Sequence, residues 1–209
     1  MNNKRFLILR ACGSEDENEE CENIASQCRL YGFDVDDYCP KNCKELDRAL
    51  QNRNQYDYIY LSSHGNENGF GNESGTIDVP WNVFSYLLCK YQCMNDDCIV
   101  FLSCCRGGLH QVIYEMFHNC SSISYIVGPR QSLTSSEMLI SFSVLLFNIE
   151  VRRIDPIVAC EKIKLSTDLR FICFDSLEIM SDYNFVHFRE NYDDERLYEN
   201  VNKYNSDTL

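Results

Sequence analysis

The 209 residues suffice for one compact domain, and 44% of them are hydrophobic and 24% charged, which is ordinary for a globular protein. The formal net charge of −13 comes without a visible basic stripe, so neither nucleic acid nor an anionic membrane is an expected partner. No apolar run approaches the roughly 18 residues that span a bilayer, and the first apolar run is too short for a signal peptide, so we expect a cytoplasmic protein.

Short apolar runs typical of strands alternate along the chain with amphipathic helical patterns. The predicted strands are residues 6–10, 33–37, 56–62, 98–103, 124–127 and 170–174. The predicted helices are residues 20–31, 44–52, 80–93, 109–118, 135–148 and 156–164. This alternation is typical of a parallel sheet with helices on both faces. We therefore predict an α/β fold of three layers, α/β/α, with a mainly parallel sheet of about six strands.

Other segments have a weaker pattern. Residues 33–37 alternate apolar and acidic side chains, as an edge strand does, and residues 66–75 are polar and glycine-rich, as a loop is. From residue 191 onward the chain is polar and acidic, and we expect it to be loosely ordered. The predicted organisation is a domain of residues 1–190 followed by a polar acidic tail of residues 191–209.

The chain has 13 cysteines, but it is too long for a small disulfide-stapled scaffold and shows no export signal. Cysteines separated by three residues occur at Cys39 and Cys43 and at Cys89 and Cys93. Paired C-x2-C units, a usual zinc-binding spacing, are absent from the sequence. Most of the cysteines are therefore expected to be small buried hydrophobic residues, and we expect no metal.

Two residues that carry reactive side chains follow strongly apolar predicted strands. His64 follows strand 56–62, and Cys105 follows strand 98–103. One predicted helix separates these strands, so a right-handed crossover brings their carboxyl ends together at one edge of the sheet. A lone His-Gly is more often a turn, and a lone cysteine is more often a packing residue. Together, in this order on successive strands, they form a candidate base and nucleophile.

The residues beside this pair suit the same chemistry. Attack of a thiolate on a peptide carbonyl creates an oxyanion, which backbone N–H groups stabilise. Gly65 has no Cβ, so its amide can approach a substrate, and the Cys105 amide at a strand-to-helix turn is a natural second donor. Gly107 and Gly108 are expected to let the chain bend before the helix that begins at Leu109, whose positive end favours a thiolate.

Residues 103–107, Ser-Cys-Cys-Arg-Gly, look like the Gln-Ala-Cys-Arg-Gly motif around the caspase nucleophile. Residues 99–108 resemble the Leu-Ser-Ala-Cys-x-x-Gly run of CHAT domains, and residues 58–65 resemble their strand followed by His-Gly. The resemblance spans residues 5–175 and implies a caspase-like (CHAT-type) cysteine peptidase of clan CD. It also implies that Cys105 is the nucleophile, His64 the base and the Gly65 amide part of the oxyanion hole, without a cofactor.

Charged residues near the predicted strand ends leave the substrate preference open. Ser103 stands where caspases have a glutamine that helps to bind an aspartate of the substrate. Arg10 and Arg130 would attract an acidic substrate side chain, whereas the acidic residues 15–17 would attract a basic one. Since charged residues are mostly exposed, each of these is expected at the solvated surface unless the fold brings it to the cleft.

The resemblance implies a cysteine endopeptidase that acts on protein substrates, as a regulated effector of bacterial anti-phage defence or cell death. Relatives are switched on by a partner protein or a nucleotide messenger, but no phosphate-binding glycine motif marks a messenger site here. Self-cleavage in loop 66–75 or beside Arg152 and Arg153 is a further hypothesis. The alternatives are a catalytically silent caspase-like sensor or binding module, and an α/β domain in which the motif is coincidental.

Overall fold

The structure is a computed structural model that describes residues 3–52 and 54–208, and its centre is a six-stranded sheet. In chain order the strands are β1 (Arg5–Arg10), β2 (Asp34–Tyr38), β3 (Tyr56–Ser62), β4 (His64–Gly65), β5 (Gly69–Gly71), β6 (Asp78–Pro80), β7 (Met94–Ser103), β8 (Tyr125–Pro129) and β9 (Phe171–Asp175). The central sheet has the order β2-β1-β3-β7-β8-β9, in which only β9 pairs antiparallel to its neighbour. The predicted mainly parallel sheet is confirmed, and β2 is an edge strand as predicted.

Helices cover both faces of this sheet. In chain order they are α1 (Glu15–Leu30), α2 (Cys43–Leu50), α3 (Trp81–Lys90), α4 (His110–Asn119), α5 (Ser135–Leu146), α6 (Pro156–Thr167), α7 (Ser176–Ser181), α8 (Tyr183–Glu190) and α9 (Asp194–Thr208). A π-helical turn, Phe147–Val151, follows α5. Within the described residues, no helix combines the length and the apolar character needed to cross a bilayer.

Two hydrophobic cores lie on opposite faces of the sheet, which confirms the three-layer fold. Phe6 and Ile8 of β1 point into the core beneath α1, α5 and α6, whereas Leu7 and Leu9 point into the core beneath α2, α3 and α4. All four side chains are 0% exposed. Burial on both faces explains why this strand is an unbroken apolar run rather than an alternating one.

Helix α1 begins at Glu15, five residues before the predicted start. The side chain of Ser14 accepts a hydrogen bond from the Glu17 backbone N–H and caps the helix, and three acidic residues occupy its first turn. Negative charge at a helix N-terminus interacts favourably with the helix dipole, so the acidic stretch stabilises this end. The earlier start turns Glu17 and Glu20 inward, where they are 1% and 4% exposed.

A small antiparallel sheet of β4, β5 and β6 follows β3 directly. Only β5, residues 69–71, lies within the segment 66–75 that the sequence predicted as a loop, and the rest of that segment connects the three short strands. The buried indole of Trp81, at the start of α3, donates a hydrogen bond from Nε1 to the Asn66 carbonyl at 2.8 Å and anchors this sheet. Strands of two and three residues, rich in glycine, show no alternation of apolar residues that a sequence pattern could reveal.

The segment from residue 191 is ordered, contrary to the expectation of a loose tail. Helix α9 packs against α2 and α3, and its Tyr204 is 3% exposed and donates a hydrogen bond to the Cys43 carbonyl at 3.0 Å. Arg196 pairs with the buried carboxylate of Glu115 on α4. The segment therefore joins the same packed unit. Residues 1–2, 53 and 209 of the predicted division lie outside the described residues.

We expect Tyr204 to be the main anchor of α9. Tyr204→Ala should lower the free energy of unfolding by about 3–5 kcal/mol, the range for removing a large buried aromatic side chain. Tyr204→Phe should lower it by about 0.5–1.5 kcal/mol, because it removes one hydrogen bond. Tyr198 lies on the same helix and is 69% exposed, so Tyr198→Ala is the control and should change little. Urea unfolding measures all three, and equal effects at both positions would contradict the packing of α9.

Candidate active site

Three neighbouring strands of the central sheet end at the same level. The last register partners of β1, β3 and β7 are Arg10, Ser62 and Ser103. Two residues beyond each partner lie Cys12, His64 and Cys105, in that order across the sheet. The predicted adjacency of the strands that carry His64 and Cys105 is confirmed, and Cys12 is a third reactive side chain that the sequence analysis missed.

His64 and Cys105 line one cleft of about 260 Å³ at this edge of the sheet. The His64 side chain is 57% exposed, and Cys105 is half-buried. Within the described residues no hydrogen bond joins the two side chains. The His64 Nε2 atom instead lies 3.3 Å from the Cys12 Sγ atom and 3.6 Å from the Glu73 Oε1 atom.

The turn that carries Cys105 bends at a different residue from those expected. Its left-handed residue is Arg106, with φ of +63°, rather than one of the two glycines expected to supply the bend. The Gly107 N–H closes the turn by donating to the Cys104 carbonyl at 3.2 Å. A Cβ at Gly108 would lie 2.3 Å from the Gly128 carbonyl oxygen, so this glycine permits close packing on β8. Helix α4 then begins at His110.

Gly65 packs directly against the segment that holds the two adjacent cysteines. A Cβ at Gly65 would lie 2.9 Å from both the Cβ and the Sγ of Cys104 and 3.1 Å from the Cys105 carbonyl oxygen. Cys104 is 1% exposed, and burial raises the pKa of its thiol. A buried thiol with a raised pKa is a poor nucleophile, so Cys105 is the better candidate of the two.

The backbone N–H of Gly65 is directed away from its partner strand. In the antiparallel pairing of β4 with β5, Asn66 donates its N–H to the Gly69 carbonyl at 3.0 Å. Hydrogen-bonded pairs alternate with non-hydrogen-bonded pairs in such a ladder, so the Gly65 amide does not serve β5. An amide outside the ladder is what an oxyanion donor requires.

Acidic side chains of α1 line the cleft. Glu20 is buried, and its Oε1 accepts hydrogen bonds from the hydroxyls of Tyr60 at 2.6 Å and Ser103 at 2.7 Å. Burial raises the pKa of the Glu20 carboxyl, and these hydrogen bonds oppose the rise. Glu20 and Asp16 also line an adjoining cavity of about 400 Å³ between α1 and the start of α5. The sequence analysis did not single out Glu20.

Only some of the predicted substrate-binding residues line the cleft. Arg10 is 13% exposed at its side chain, and its guanidinium pairs with the Asp37 carboxylate, with Nε 2.8 Å from Oδ1. This pairing raises the pKa of Arg10. Arg130 is exposed beyond β8, and neither arginine lines the cleft of the described structure. Ser103 does line it, with its hydroxyl held by Glu20. Of the acidic residues 15–17, Asp16 and Glu17 line the cleft.

Most cysteines, including Cys21, Cys28 and Cys98, are buried among hydrophobic side chains, as predicted. Burial raises the pKa of all three of these thiols. Across residues 3–52 and 54–208, no three side chains of His, Cys, Asp or Glu are arranged to hold a metal ion.

No family model matches the sequence, and neither does any curated protein. The structure is similar to the X-ray structure of iotapain, a secreted C11 cysteine protease from Bacteroides thetaiotaomicron, with a TM-score of 0.63 over 85% of this chain and 68% of that one. The α/β/α fold of this chain is the caspase-like fold that this neighbour has. The sequences are 8% identical, so the likeness concerns the caspase-like fold alone. On such an α/β fold, the carboxyl edge of the parallel strands is where active sites form, and the cleft of His64 and Cys105 lies there.

Proposed function

We propose that the protein is a cysteine endopeptidase, with Cys105 as the nucleophile and His64 as the general base. The observation that carries this proposal is that a half-buried thiol and an exposed imidazole follow adjacent parallel strands and line one cleft. The caspase-like fold supports the same reaction class. Nucleophile and base must lie within reach of one another and of a common space for the substrate, which a shared cleft provides.

In the proposed reaction, His64 takes the proton of the Cys105 thiol, and the thiolate attacks the carbonyl carbon of the peptide bond. The N–H groups of Gly65 and Cys105 donate to the oxyanion that forms. His64 then gives its proton to the leaving amine, and a thioester to Cys105 is left. Water, deprotonated by His64, hydrolyses the thioester and restores the thiol.

The resting contacts of His64 require a step before this reaction. Its Nε2 contacts Cys12 and Glu73, and in the described structure it makes no hydrogen bond to Cys105. Catalytic hydrogen bonds are often long without substrate and shorten when substrate binds. We infer that substrate binding, or an activating partner, brings the Cys105 thiol and the imidazole into contact.

The charges in the cleft favour a basic side chain before the cleaved bond. Asp16, Glu17, Glu20 and Glu73 line the cleft, and no lysine or arginine of the described chain does so. The adjoining cavity adds Glu19 and is large enough for a long side chain. A cationic side chain there would form charge-assisted hydrogen bonds, whereas an acidic one would meet like charges in a partly desolvated space.

Glu20→Gln tests this preference. The amide oxygen still accepts from Tyr60 and Ser103, so the change removes charge and little else. Cleavage after lysine or arginine should fall by about 10- to 100-fold, the range for loss of a charged hydrogen bond, while cleavage after neutral residues is maintained. Glu22→Gln, on the exposed side of α1, is the control and should leave the profile unchanged. A peptide library read by mass spectrometry gives both profiles, and an unchanged preference in Glu20→Gln would contradict this role.

The same preference should depend on pH. A carboxyl whose pKa is raised takes up its proton at a higher pH than a free glutamate does. Discrimination in favour of basic residues is therefore expected above that pKa and lost as the pH falls through it.

The reaction itself is tested by a thiol-reactive peptide electrophile, whose site of attachment mass spectrometry identifies. A label on Cys105 that depends on His64 supports the proposal. A label that is spread over the exposed cysteines Cys39 and Cys89, with none at Cys105, contradicts it. The experiment also distinguishes the peptidase from the alternative, a catalytically silent caspase-like module. The observation that favours this alternative is that His64 contacts Cys12 and Glu73.

In a cell we propose that the peptidase is a cytoplasmic, regulated effector of a bacterial defence or cell-death pathway. The support is its likeness to caspase-like peptidases and the resting arrangement of His64. An activating protein or a nucleotide messenger would then raise the rate of Cys105 labelling. Comparison of that rate with and without added cyclic nucleotides or a lysate of phage-infected cells tests this step, and equal rates under all conditions would count against it.

A further inference from the structure

Cys12 lies at the same edge of the sheet as His64 and Cys105, but it has no role in the proposed reaction. It lies two residues beyond the last paired residue of β1, beside His64, which begins β4 directly after β3. Its Sγ is 3.3 Å from the His64 Nε2 atom. Cys12 therefore contacts the imidazole, whereas Cys105 makes no hydrogen bond to it in the described structure.

The backbone of Cys12 is fixed from two sides. Its N–H donates to the Glu17 carboxylate at 2.7 Å, and its carbonyl accepts from the Glu73 N–H at 3.3 Å. The Gly13 N–H also donates to Glu17, at 2.7 Å. Helix α1 and the loop between β5 and β6 thus hold the Cys12 thiol in place against His64.

Glu73 faces the same nitrogen of the ring. Its Oε1 lies 3.6 Å from His64 Nε2, the atom that Cys12 contacts. Register pairing of His64 with Gly71 in the small sheet brings this loop alongside the ring. The Cys12 thiol and the Glu73 carboxylate therefore both lie close to Nε2. Neither of these contacts involves the other ring nitrogen, Nδ1.

The chemistry of these two groups determines which ring nitrogen carries the proton. Cys12 is 7% exposed, and burial raises the pKa of its thiol, so the thiol stays neutral. Its S–H donates to the Ser14 hydroxyl at 3.6 Å, which leaves the sulfur lone pairs toward His64. A carboxylate is an acceptor only. With acceptors on one side, the proton of a neutral imidazole resides on Nε2.

We propose that Cys12 and Glu73 are positioning residues that hold His64 as the Nε2–H tautomer, so that Nδ1 is the atom that takes the proton of Cys105. This inference rests on the proposed peptidase reaction. The partner of the second ring nitrogen fixes both the tautomer and the ring orientation in catalytic and metal-binding histidines alike. Here a buried thiol and an exposed carboxylate share that task.

The tautomer can be observed without any substrate. In ¹⁵N-labelled protein, correlations from the ring C–H protons distinguish a protonated from an unprotonated ring nitrogen, and His64→Gln assigns the signals of His64 among the four histidines. At a pH where the ring is neutral, we expect Nε2 protonated and Nδ1 bare in the wild type. The Cys12→Ala/Glu73→Gln double variant should show a mixture of both tautomers. A wild-type ring protonated on Nδ1, or an unchanged tautomer in the double variant, would overturn the proposal.

Alkylation of Cys105 by iodoacetamide gives the second readout. The rate should fall by about 10- to 100-fold in the double variant, the usual cost of removing a group that orients a histidine. Cys12→Ser should retain most of the rate, because a hydroxyl also donates to Ser14 and accepts from Nε2. Glu161→Gln, an exposed carboxylate on α6, is the control and should match the wild type. Equal rates in wild type and double variant would also overturn the proposal.

Failure of this inference and failure of the peptidase reaction are distinguishable. If Cys105 is labelled by the peptide electrophile but the tautomer does not respond to the double variant, the positioning role is wrong and the reaction stands. If the tautomer responds but Cys105 never reacts, the positioning of the ring is supported and the proposed reaction is wrong.

Discussion

Cys105→Ala is expected to abolish peptide cleavage, with a loss of about 10⁴- to 10⁶-fold, because the nucleophile is removed and no other thiol in the cleft replaces it. Cys104 is buried with a raised thiol pKa, and Cys12 is buried beside the base. Residual cleavage would come from binding and the oxyanion hole alone. His64→Ala should lower kcat by about 10²- to 10⁴-fold, the usual contribution of a general base.

Cys104→Ala is the matched control for this result. It removes the adjacent sulfur, which packs against Gly65, and is expected to lower stability modestly while labelling at Cys105 persists. Activity is measured on a fluorogenic peptide with a basic residue before the cleaved bond, and folding is checked by circular dichroism. If Cys105→Ala keeps full activity, Cys105 is not the nucleophile. The same follows if Cys104→Ala loses activity although Cys105 is still labelled.

The positions of His64 and Cys105 could be predicted from the sequence because each residue follows the end of a buried, apolar strand. Strands buried on both faces are largely apolar runs, so the ends of β3 and β7 were visible in the sequence: the runs stop at Leu61 and Leu102, three residues before His64 and Cys105. The same reasoning applies to β1, whose apolar run of residues 6–9 ends three residues before Cys12. That equal offset was a usable signal for Cys12, but only once β1 was known to pair with β3.

Other features depended on contacts that the sequence does not encode locally. Glu20 lies in an acidic stretch, so the sequence did not mark it as buried. Ser14 caps the helix that carries it, and the hydroxyls of Tyr60 and Ser103 donate hydrogen bonds to its buried carboxylate. Glu73 approaches His64 through a small sheet whose strands are too short to show a pattern. Arg10 was a predicted substrate-binding residue, but its guanidinium pairs with Asp37 on β2, a contact between strands that the sequence does not reveal.

Gly65→Ala is expected to cause the second large loss of activity, about 10²- to 10³-fold in kcat, the range for losing one oxyanion donor. The new methyl group would lie 2.9 Å from the Cys104 side chain and 3.1 Å from the Cys105 carbonyl. Such contacts force the chain to move, and both the Gly65 amide and the Cys105 turn move with it. Overpacking of this kind also lowers the free energy of unfolding by about 1–3 kcal/mol.

A loss of stability alone must be separated from the loss of the oxyanion site. Gly32→Ala provides the comparison: Gly32 has φ of +85°, and a Cβ there meets nothing within 4 Å. Alanine in that left-handed conformation costs about 1–2 kcal/mol, at a position between α1 and β2 that does not line the cleft of the described structure. Gly32→Ala should therefore unfold at lower urea concentration yet keep its kcat. If both variants keep full activity, Gly65 serves packing only. A loss of kcat in Gly65→Ala alone, with KM unchanged, shows that the close packing of Gly65 on the Cys105 turn positions groups that stabilise the transition state.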